Sequence, residues 1–208
     1  LIVMLEIMYK GGPLMVVILL CSVIAVAVII ERFIRLRVAQ INTERFMSEI
    51  KGVLEVSDVD KALRLCEETS GSVSGLCRTA ILNVDREKDE IKEAIEDAAR
   101  SEIPRLSRNL NPLSTIAHIT PLLGLLGTVT GMIDAFQGLE EEALQGGFTV
   151  RMIAGGIWQA LLTTAFGLSV AIVTYVAHSY LAGRLENLIV EMERSATDIL
   201  NLLKERTG

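Results

Sequence analysis

Three long stretches of this chain carry no Asp, Glu, Lys or Arg, and they constrain its fold more than any other feature. They cover residues 11–30, 109–133 and 152–183. A helix needs roughly 20 mostly apolar residues to cross a bilayer, and each stretch is long enough. Half of the 208 residues are hydrophobic and the mean hydropathy is +0.44. The sequence therefore predicts an all-α membrane protein with three transmembrane helices and no separate soluble domain.

The distribution of Lys and Arg predicts how these helices are oriented. Residues 32–108 hold 14 of the 20 basic residues, whereas the turn after Ile133 has only Arg151, beside three glutamates at 140–142. Because cytoplasmic segments are enriched in Lys and Arg, we expect the N-terminus outside and the C-terminus in the cytoplasm. The first stretch is too long for a signal peptide, no basic segment precedes it (only Lys10), and basic residues follow it.

These boundaries divide the chain into seven segments. They are an external amphipathic N-terminus (1–12), a first span (13–31), a helical cytoplasmic region (32–108), a second span (109–136), an external turn (137–151), a third span (152–180) and a cytoplasmic C-terminal helix (181–208). Pro104 is predicted to kink the last helix of the cytoplasmic region without ending it. That helix is then expected to run into the second span without a flexible linker.

Capping and helix-breaking residues indicate how the cytoplasmic region is divided. Asn42 or Thr43 is expected to cap one helix, and Ser57 or Asp58 a second. Ser70-Gly71-Ser72 should interrupt the second. The tail after Gly183 has the apolar spacing of an amphipathic helix. Its apolar face comprises Leu185, Leu188, Ile189, Met192, Ile199, Leu202 and Leu203.

The second and third spans each carry a stripe of small residues at helical spacing. In the second span the stripe is Thr120, Gly124, Gly127, Gly131 and Ala135, and in the third it is Gly156, Ala160, Thr163 or Thr164, Gly167 and Ala171. Such stripes let a second helix approach closely, so we expect them to face other helices or a polar path. The short turn makes the two spans an antiparallel hairpin. Pro121 removes one backbone hydrogen bond within it.

Hydroxyl groups, and no carboxylates, occupy the middle of these two spans. They belong to Thr120, Thr128, Thr130, Thr163 and Thr164. Each hydroxyl alone is expected to bond its own helix backbone. As a set they are candidates to line a narrow polar path or to bond a carboxyl group from a partner helix. If protons cross here, another chain must supply the central titrating group.

The remaining polar groups predict little further chemistry. His118 and His178 are interpreted as neutral and hydrogen-bonded, with a proton relay as the alternative. Asp134 marks the outer interface or helps to form an outer vestibule. Cys21, Cys66 and Cys77 are interpreted as structural thiols. The sequence contains no pattern for a metal site, a cofactor, an enzyme's nucleophile with its base, or a nucleic-acid surface, so we predict that the protein is not an enzyme.

Two segments carry a resemblance to a known family. RNLNPLSTIAHITPLLGLLGTVTGMIDAF, followed by GGIWQALLTTAFGLSVAIVTY, resembles the MotA/TolQ/ExbB proton-channel family, and especially its ExbB/TolQ branch. The motifs GLLGTVTGM and ALLTTAFGL are specific when they occur together. The three-span layout extends the resemblance to nearly the whole chain.

The resemblance implies an assembly and a set of site residues. The chain would form a ring, a homopentamer in a bacterial inner membrane, around two copies of an ExbD- or TolR-like single-span protein that supplies a membrane aspartate. The pore would be lined by Thr128, Thr164, Thr163 and Thr120, and its helices would pack through Gly124, Gly127, Gly131, Pro121, Gly156, Ala160 and Gly167. Where many ExbB-like proteins have a glutamate, this chain has Gln159, which argues against a titrating role there.

The predicted function is therefore that of a pore-forming subunit in a motor driven by the proton-motive force. A TonB- or TolA-like protein would transmit the force to an outer-membrane process such as nutrient import or envelope maintenance. The alternative is a non-conducting helical scaffold that recruits cytoplasmic partners. Only the motor requires the threonine hydroxyls and a proton gradient.

Overall fold

The computed structural model describes residues 12–56, 58–144 and 150–207, with side chains for all of these except 141–153 and 205–207. This part of the chain is helical, without strands. Its helices are α1 (Gly12–Ala39), α2 (Thr43–Glu55), α3 (Val59–Glu68), α4 (Ser72–Leu82), α5 (Lys88–Ser107), α6 (Leu110–Leu144) and α7 (Val150–Thr207). Residues 1–11 of the predicted external N-terminus and the candidate cap Ser57 lie outside the described residues.

Three helical stretches are long and apolar enough to cross a membrane. They lie within Gly12–Glu55, Lys88–Glu140 and Ala154–Lys204. The described residues are thus all helical, with three candidate spans of the kind found in a multi-pass membrane protein. Large apolar side chains of these helices point outward in the single chain, among them Leu20, Val23, Leu122, Val129, Leu161 and Ile172. Such surfaces suit contact with lipid or with further helices.

The chain divides into two compact units. The first consists of residues 1–30 and 109–179, and the second of Glu31–Arg108 and Tyr180–Gly208. The first unit holds the apolar spans. The second holds the end of α1, the helices α2 to α5 and the final part of α7. The core of the second unit comes from apolar faces of these helices, with Ile50, Val73, Ile81, Leu188, Met192 and Ile199 fully buried.

Two of the predicted helix caps are confirmed. The Asn42 carboxamide oxygen accepts a hydrogen bond from the backbone N–H of Arg45 at 3.1 Å, and the Asp58 carboxylate accepts one from Lys61 at 2.9 Å. Each satisfies a backbone donor that the first helical turn leaves open. Thr43 is instead the first residue of α2. Gly71 lies directly before α4, where the helix break was predicted.

Two helix ends differ from the prediction. Pro104 lies inside α5 as expected, but α5 ends at Ser107 and does not continue into the second span. Asn109 has a positive φ of 65°, a left-handed conformation that asparagine tolerates better than most residues, and α6 begins after it. At the other end, α6 continues to Leu144, so the first part of the predicted turn at 137–151 is helical.

Cys66 and Cys77 are buried in the second unit. Burial raises the pKa of the Cys66 thiol to about 11 and that of Cys77 to about 12, from an ordinary value of 9.0. For Cys66 the nearby Arg78 opposes this effect without overcoming it. The Cys77 sulfur contacts the Met47 sulfur at 3.7 Å. Both thiols are therefore held in the neutral form, as expected for structural cysteines.

Iodoacetamide at pH 8 should leave Cys66 and Cys77 unmodified in the native protein, because alkylation requires the thiolate. The pKa values of these thiols in the folded protein lie above the unfolded value of 9.0. Burial of the neutral thiols therefore contributes fully to the free energy of unfolding below pH 9, and this contribution declines as the pH rises toward 11. Peptide mass spectrometry after alkylation, with and without denaturant, measures the protection. Rapid native alkylation at pH 8 would show that the thiols are not buried as described.

Arg32 lies directly after the first apolar stretch, yet it is buried, with 1 % of its surface exposed. Its guanidinium donates to the carbonyl oxygens of Arg105 and Leu106, each at 3.3 Å, and to the Glu31 carboxylate at 2.8 Å. The two carbonyls belong to the last turn of α5, where the helix dipole favours a cation. Basic residues directly after a membrane span are expected to face lipid headgroups. For Arg32 this expectation is wrong, because its guanidinium instead caps the C-terminus of a helix in its own unit.

Arg32→Met should lower the free energy of unfolding by about 2 kcal/mol, since it removes charge-assisted hydrogen bonds from buried carbonyls. Arg45→Met is the matched control, because Arg45 is exposed and its ion pair is with Glu49, one turn further along α2. That change should cost under about 0.5 kcal/mol. Chemical denaturation in detergent compares the two. Equal losses would contradict the capping role of Arg32.

Candidate proton path in the second and third spans

The two small-residue stripes pack against each other within one chain. A Cβ added to Gly167 would lie 2.6 Å from the carbonyl oxygen of Thr120 and 3.1 Å from the Cα of Gly124. A Cβ added to Gly156 would lie 2.5 Å from the Cβ of Ala135. Since residue numbers increase along α6 as those of their neighbours decrease along α7, the helices are antiparallel. This confirms the predicted hairpin and explains the need for glycine where the backbones meet.

Thr120 and Thr163 lie inside this helix contact, with 0 % and 1 % of their surfaces exposed. The Thr120 hydroxyl donates to the carbonyl oxygen of Ile116 at 2.9 Å, and that of Thr163 to Ala160 at 2.9 Å. Thr163 fills the space above Gly127. In this conformation neither hydroxyl can reach a further helix. The structure thus places these two predicted pore residues in the packing of the hairpin, because they lie on the faces where α6 and α7 meet.

Thr164 and Thr128 are half-buried and remain accessible from outside the hairpin. The Thr164 hydroxyl donates across from α7 to the carbonyl oxygen of Gly124 in α6, at 2.9 Å. The Thr128 hydroxyl donates to Leu125 in its own helix at 2.6 Å. Gly124 lies one turn beyond Pro121, and α6 continues through this proline without a break. Thr130 is half-buried as well, but of these three threonines it is Thr164 whose hydroxyl bonds across the hairpin.

The other predicted polar groups are held in separate places. Asp134 is exposed on α6. The Gln159 carboxamide lies against Gly12 in α1, since a Cβ on Gly12 would be 2.5 Å from its nitrogen. His118 Nδ1 donates to the carbonyl oxygen of Ser114 at 2.7 Å, in its own helix. Among the described residues no three His, Cys, Asp or Glu side chains form a cluster that would hold a metal.

Sequence reasoning missed the Gly124 carbonyl as the acceptor for Thr164. The stripes show which face of each helix is small, but the register between two antiparallel helices depends on how their backbones interlock. One signal was available in the sequence. Gly124 and Thr164 both lie on the small-residue faces, so an acceptor near the backbone of the opposite span was to be expected.

The fold and the site define a multi-pass helical membrane protein whose second and third spans form a tight hairpin with hydroxyl groups and no carboxylate at its centre. The family model described as the MotA/TolQ/ExbB proton channel family matches residues 68–194. The chain belongs to this family, and its relatives place it in the ExbB/TolQ-like branch.

Three curated relatives illustrate the similarity. A biopolymer transport protein from Methanothermobacter thermautotrophicus, named as an ExbB homologue, is 29 % identical over 190 residues. The match covers 91 % of this chain and 66 % of the relative. An ExbB-like protein from Synechocystis is 34 % identical over 78 % of this chain and 64 % of its own length. The Tol-Pal system protein TolQ of Pseudomonas aeruginosa is 36 % identical over 49 % and 44 %. The chain thus spans about two thirds of the length of the first two relatives.

Proposed function

We propose that this chain is the pore-forming subunit of an inner-membrane motor driven by the proton-motive force. The observation that carries the proposal is the cross-helix bond from Thr164 to the Gly124 carbonyl, with Thr128 on the neighbouring helix. Both side chains are half-buried, in a hairpin that otherwise packs through glycine and alanine. Of the four residues expected to line the pore, we retain Thr128 and Thr164. We assign the buried Thr120 and Thr163 to the packing of α6 against α7.

The absence of a carboxylate from the middle of the second and third spans supports the presence of a second protein in the pore. Residues 109–133 and 152–183 contain no Asp or Glu, and Gln159 cannot titrate. A proton path through apolar spans needs a group that gains and loses a proton there. A single-span protein of the ExbD or TolR type would supply an aspartate, held within a homopentamer of this chain. Asp134, exposed on α6, would contribute to the outer vestibule.

The proposed cycle uses the cost of charge inside the membrane. An ionised carboxylate near the bilayer centre costs at least about 2.5–3.5 kcal/mol, so it holds the partner helix beside the threonine hydroxyls. Thr164 would exchange its bond to Gly124 for one to that carboxylate. A proton from the outside neutralises the carboxylate, the hydrogen bond weakens, and the partner helix is free to move. Release of the proton to the cytoplasm restores the charge.

The force would leave the membrane through a TonB- or TolA-like protein that acts on an outer-membrane process such as nutrient import or envelope maintenance. In this arrangement the N-terminus faces the periplasm, and residues 32–108 and 181–208 face the cytoplasm. The excess of Lys and Arg in 32–108 supports this orientation. One relative is a Tol-Pal system protein, so envelope maintenance is among the candidates.

Native mass spectrometry of the complex extracted in mild detergent tests the assembly. We expect five copies of this chain with a short co-purifying protein that has one span and an aspartate within it. A monomer or dimer that retains only soluble proteins would contradict the motor and favour the scaffold. The sequence of the co-purified chain also identifies which envelope process the complex serves.

A further inference from the structure

A cavity of about 360 Å³ lies in the second unit, between the end of α1 and the last turns of α5. Three arginines from the two helices line it, namely Arg32, Arg35 and Arg105. Arg32 forms the buried floor, and its Nε has no hydrogen-bond partner among the residues that the structure describes. The Arg35 and Arg105 side chains are exposed at the edge of the cavity. The convergence of three guanidinium groups from different helices favours a ligand with a phosphate group.

The neighbouring carboxylates do not neutralise this cluster. Glu31 accepts from Arg32 at 2.8 Å and from Arg35 at 3.1 Å, so one carboxylate serves two arginines. Glu102 lies 3.6 Å from Arg105, a loose contact. Three positive charges against two negative ones leave a net charge of +1. Each guanidinium has five N–H donors, so Arg35 and Arg105 retain donors for an anion.

The surroundings of the cavity distinguish a lipid from a free phosphate ion. Arg32 and Arg35 follow the apolar stretch that ends at Ile30. Ile34, which also lines the cavity, lies on the membrane side of Arg35 and is 56 % exposed. An exposed aliphatic side chain beside cationic ones matches the boundary between phosphate and acyl chain in a phospholipid. A free phosphate gains nothing from Ile34.

We propose that Arg35 and Arg105, above the buried Arg32, bind the phosphate of an anionic phospholipid whose first acyl carbons lie against Ile34. Basic residues that directly follow a transmembrane helix are attracted to anionic lipids. The buried Arg32 fixes the ends of α1 and α5 together, so the two exposed arginines are presented at a constant separation. The site is independent of the proton path, because none of its residues belongs to the second or third span.

The test is a lipid titration of the detergent-purified full chain, with bound lipid counted by native mass spectrometry. The probes are dioleoylphosphatidylglycerol, dioleoylphosphatidylcholine and soluble glycerol 3-phosphate. The variant is Arg35→Gln with Arg105→Gln. The matched control is Arg45→Gln with Arg100→Gln, since both of these arginines are exposed, pair with glutamates in their own helices and lie outside the cavity.

We expect phosphatidylglycerol to bind in preference to phosphatidylcholine, and the Arg35/Arg105 variant to weaken its binding roughly tenfold or more, with the control unchanged. An equal loss in the control variant would assign the binding to overall charge and overturn the proposal. Equal binding of the two lipids would overturn it without any variant. Displacement of bound lipid by millimolar glycerol 3-phosphate would assign the site to a free phosphate instead of a lipid.

Discussion

Alanine at Gly156 should destabilise the hairpin of α6 and α7 by about 1–3 kcal/mol, as overpacking of a tight contact does. The added Cβ would lie 2.5 Å from the Cβ of Ala135 and 2.8 Å from the carbonyl oxygen of Gly131. Neither group is the end of a flexible side chain, so the backbones must separate. The separation would also move Thr164 away from the Gly124 carbonyl, and we therefore expect the function to fall with the stability.

The adjacent glycine provides the control. A Cβ on Gly155 meets nothing within 4 Å, so Gly155→Ala should be neutral or stabilise the helix by up to about 1 kcal/mol through its higher helix propensity. Thermal unfolding of the two variants in the same detergent, followed by circular dichroism, measures the difference. If Gly155→Ala and Gly156→Ala unfold alike, the α6–α7 contact is not the one described. Gly167→Ala should behave like Gly156→Ala, because its Cβ meets backbone atoms of α6.

Thr164→Val should abolish the proposed motor function while leaving folding and assembly intact. Valine keeps the shape of the side chain and removes the hydroxyl that bonds the Gly124 carbonyl at 2.9 Å. That carbonyl has a second lone pair and remains within its own helix, so the cost in stability should be no more than about 1 kcal/mol. The larger effect concerns the partner's carboxylate, which would lose a hydrogen-bond donor inside the membrane.

Thr130→Val is the matched control in the same hairpin. Thr130 is half-buried and bonds only backbone carbonyls of its own helix, at Leu126 and Gly127. Growth or transport that depends on the proton-motive force should be lost in Thr164→Val and retained in Thr130→Val, with equal amounts of each protein in the membrane. A fully active double variant, Thr164→Val with Thr128→Val, would refute the assignment of the pore.

The sequence predicted the parts of this fold that depend on one helix at a time. The three spans follow from charge-free stretches, and the caps at Asn42 and Asp58 follow from side chains that satisfy local backbone donors. The stripes predicted which faces are small, and the structure buries Gly124, Gly127 and Gly131 on one of them. Local spacing is enough for each of these predictions.

The parts that sequence reasoning missed depend on two helices together. Arg32 has the position of a headgroup-binding residue, but the end of α5 comes close enough to bury it. Thr120 and Thr163 have the same chemistry as Thr128 and Thr164, and only the rotation of α6 against α7 separates buried hydroxyls from accessible ones. The break at Asn109 depends on a single backbone angle, which no periodic pattern records.

Proton flux into proteoliposomes tests the proposed motor most directly. The vesicles would contain this chain with its co-purified single-span partner, an imposed membrane potential and an internal pH-sensitive dye. We predict a flux that disappears when the partner's membrane aspartate is replaced by asparagine and, separately, when Thr164 is replaced by valine. A flux that survives both replacements, or a fully assembled complex that conducts no protons under any imposed potential, would contradict the proposed pore.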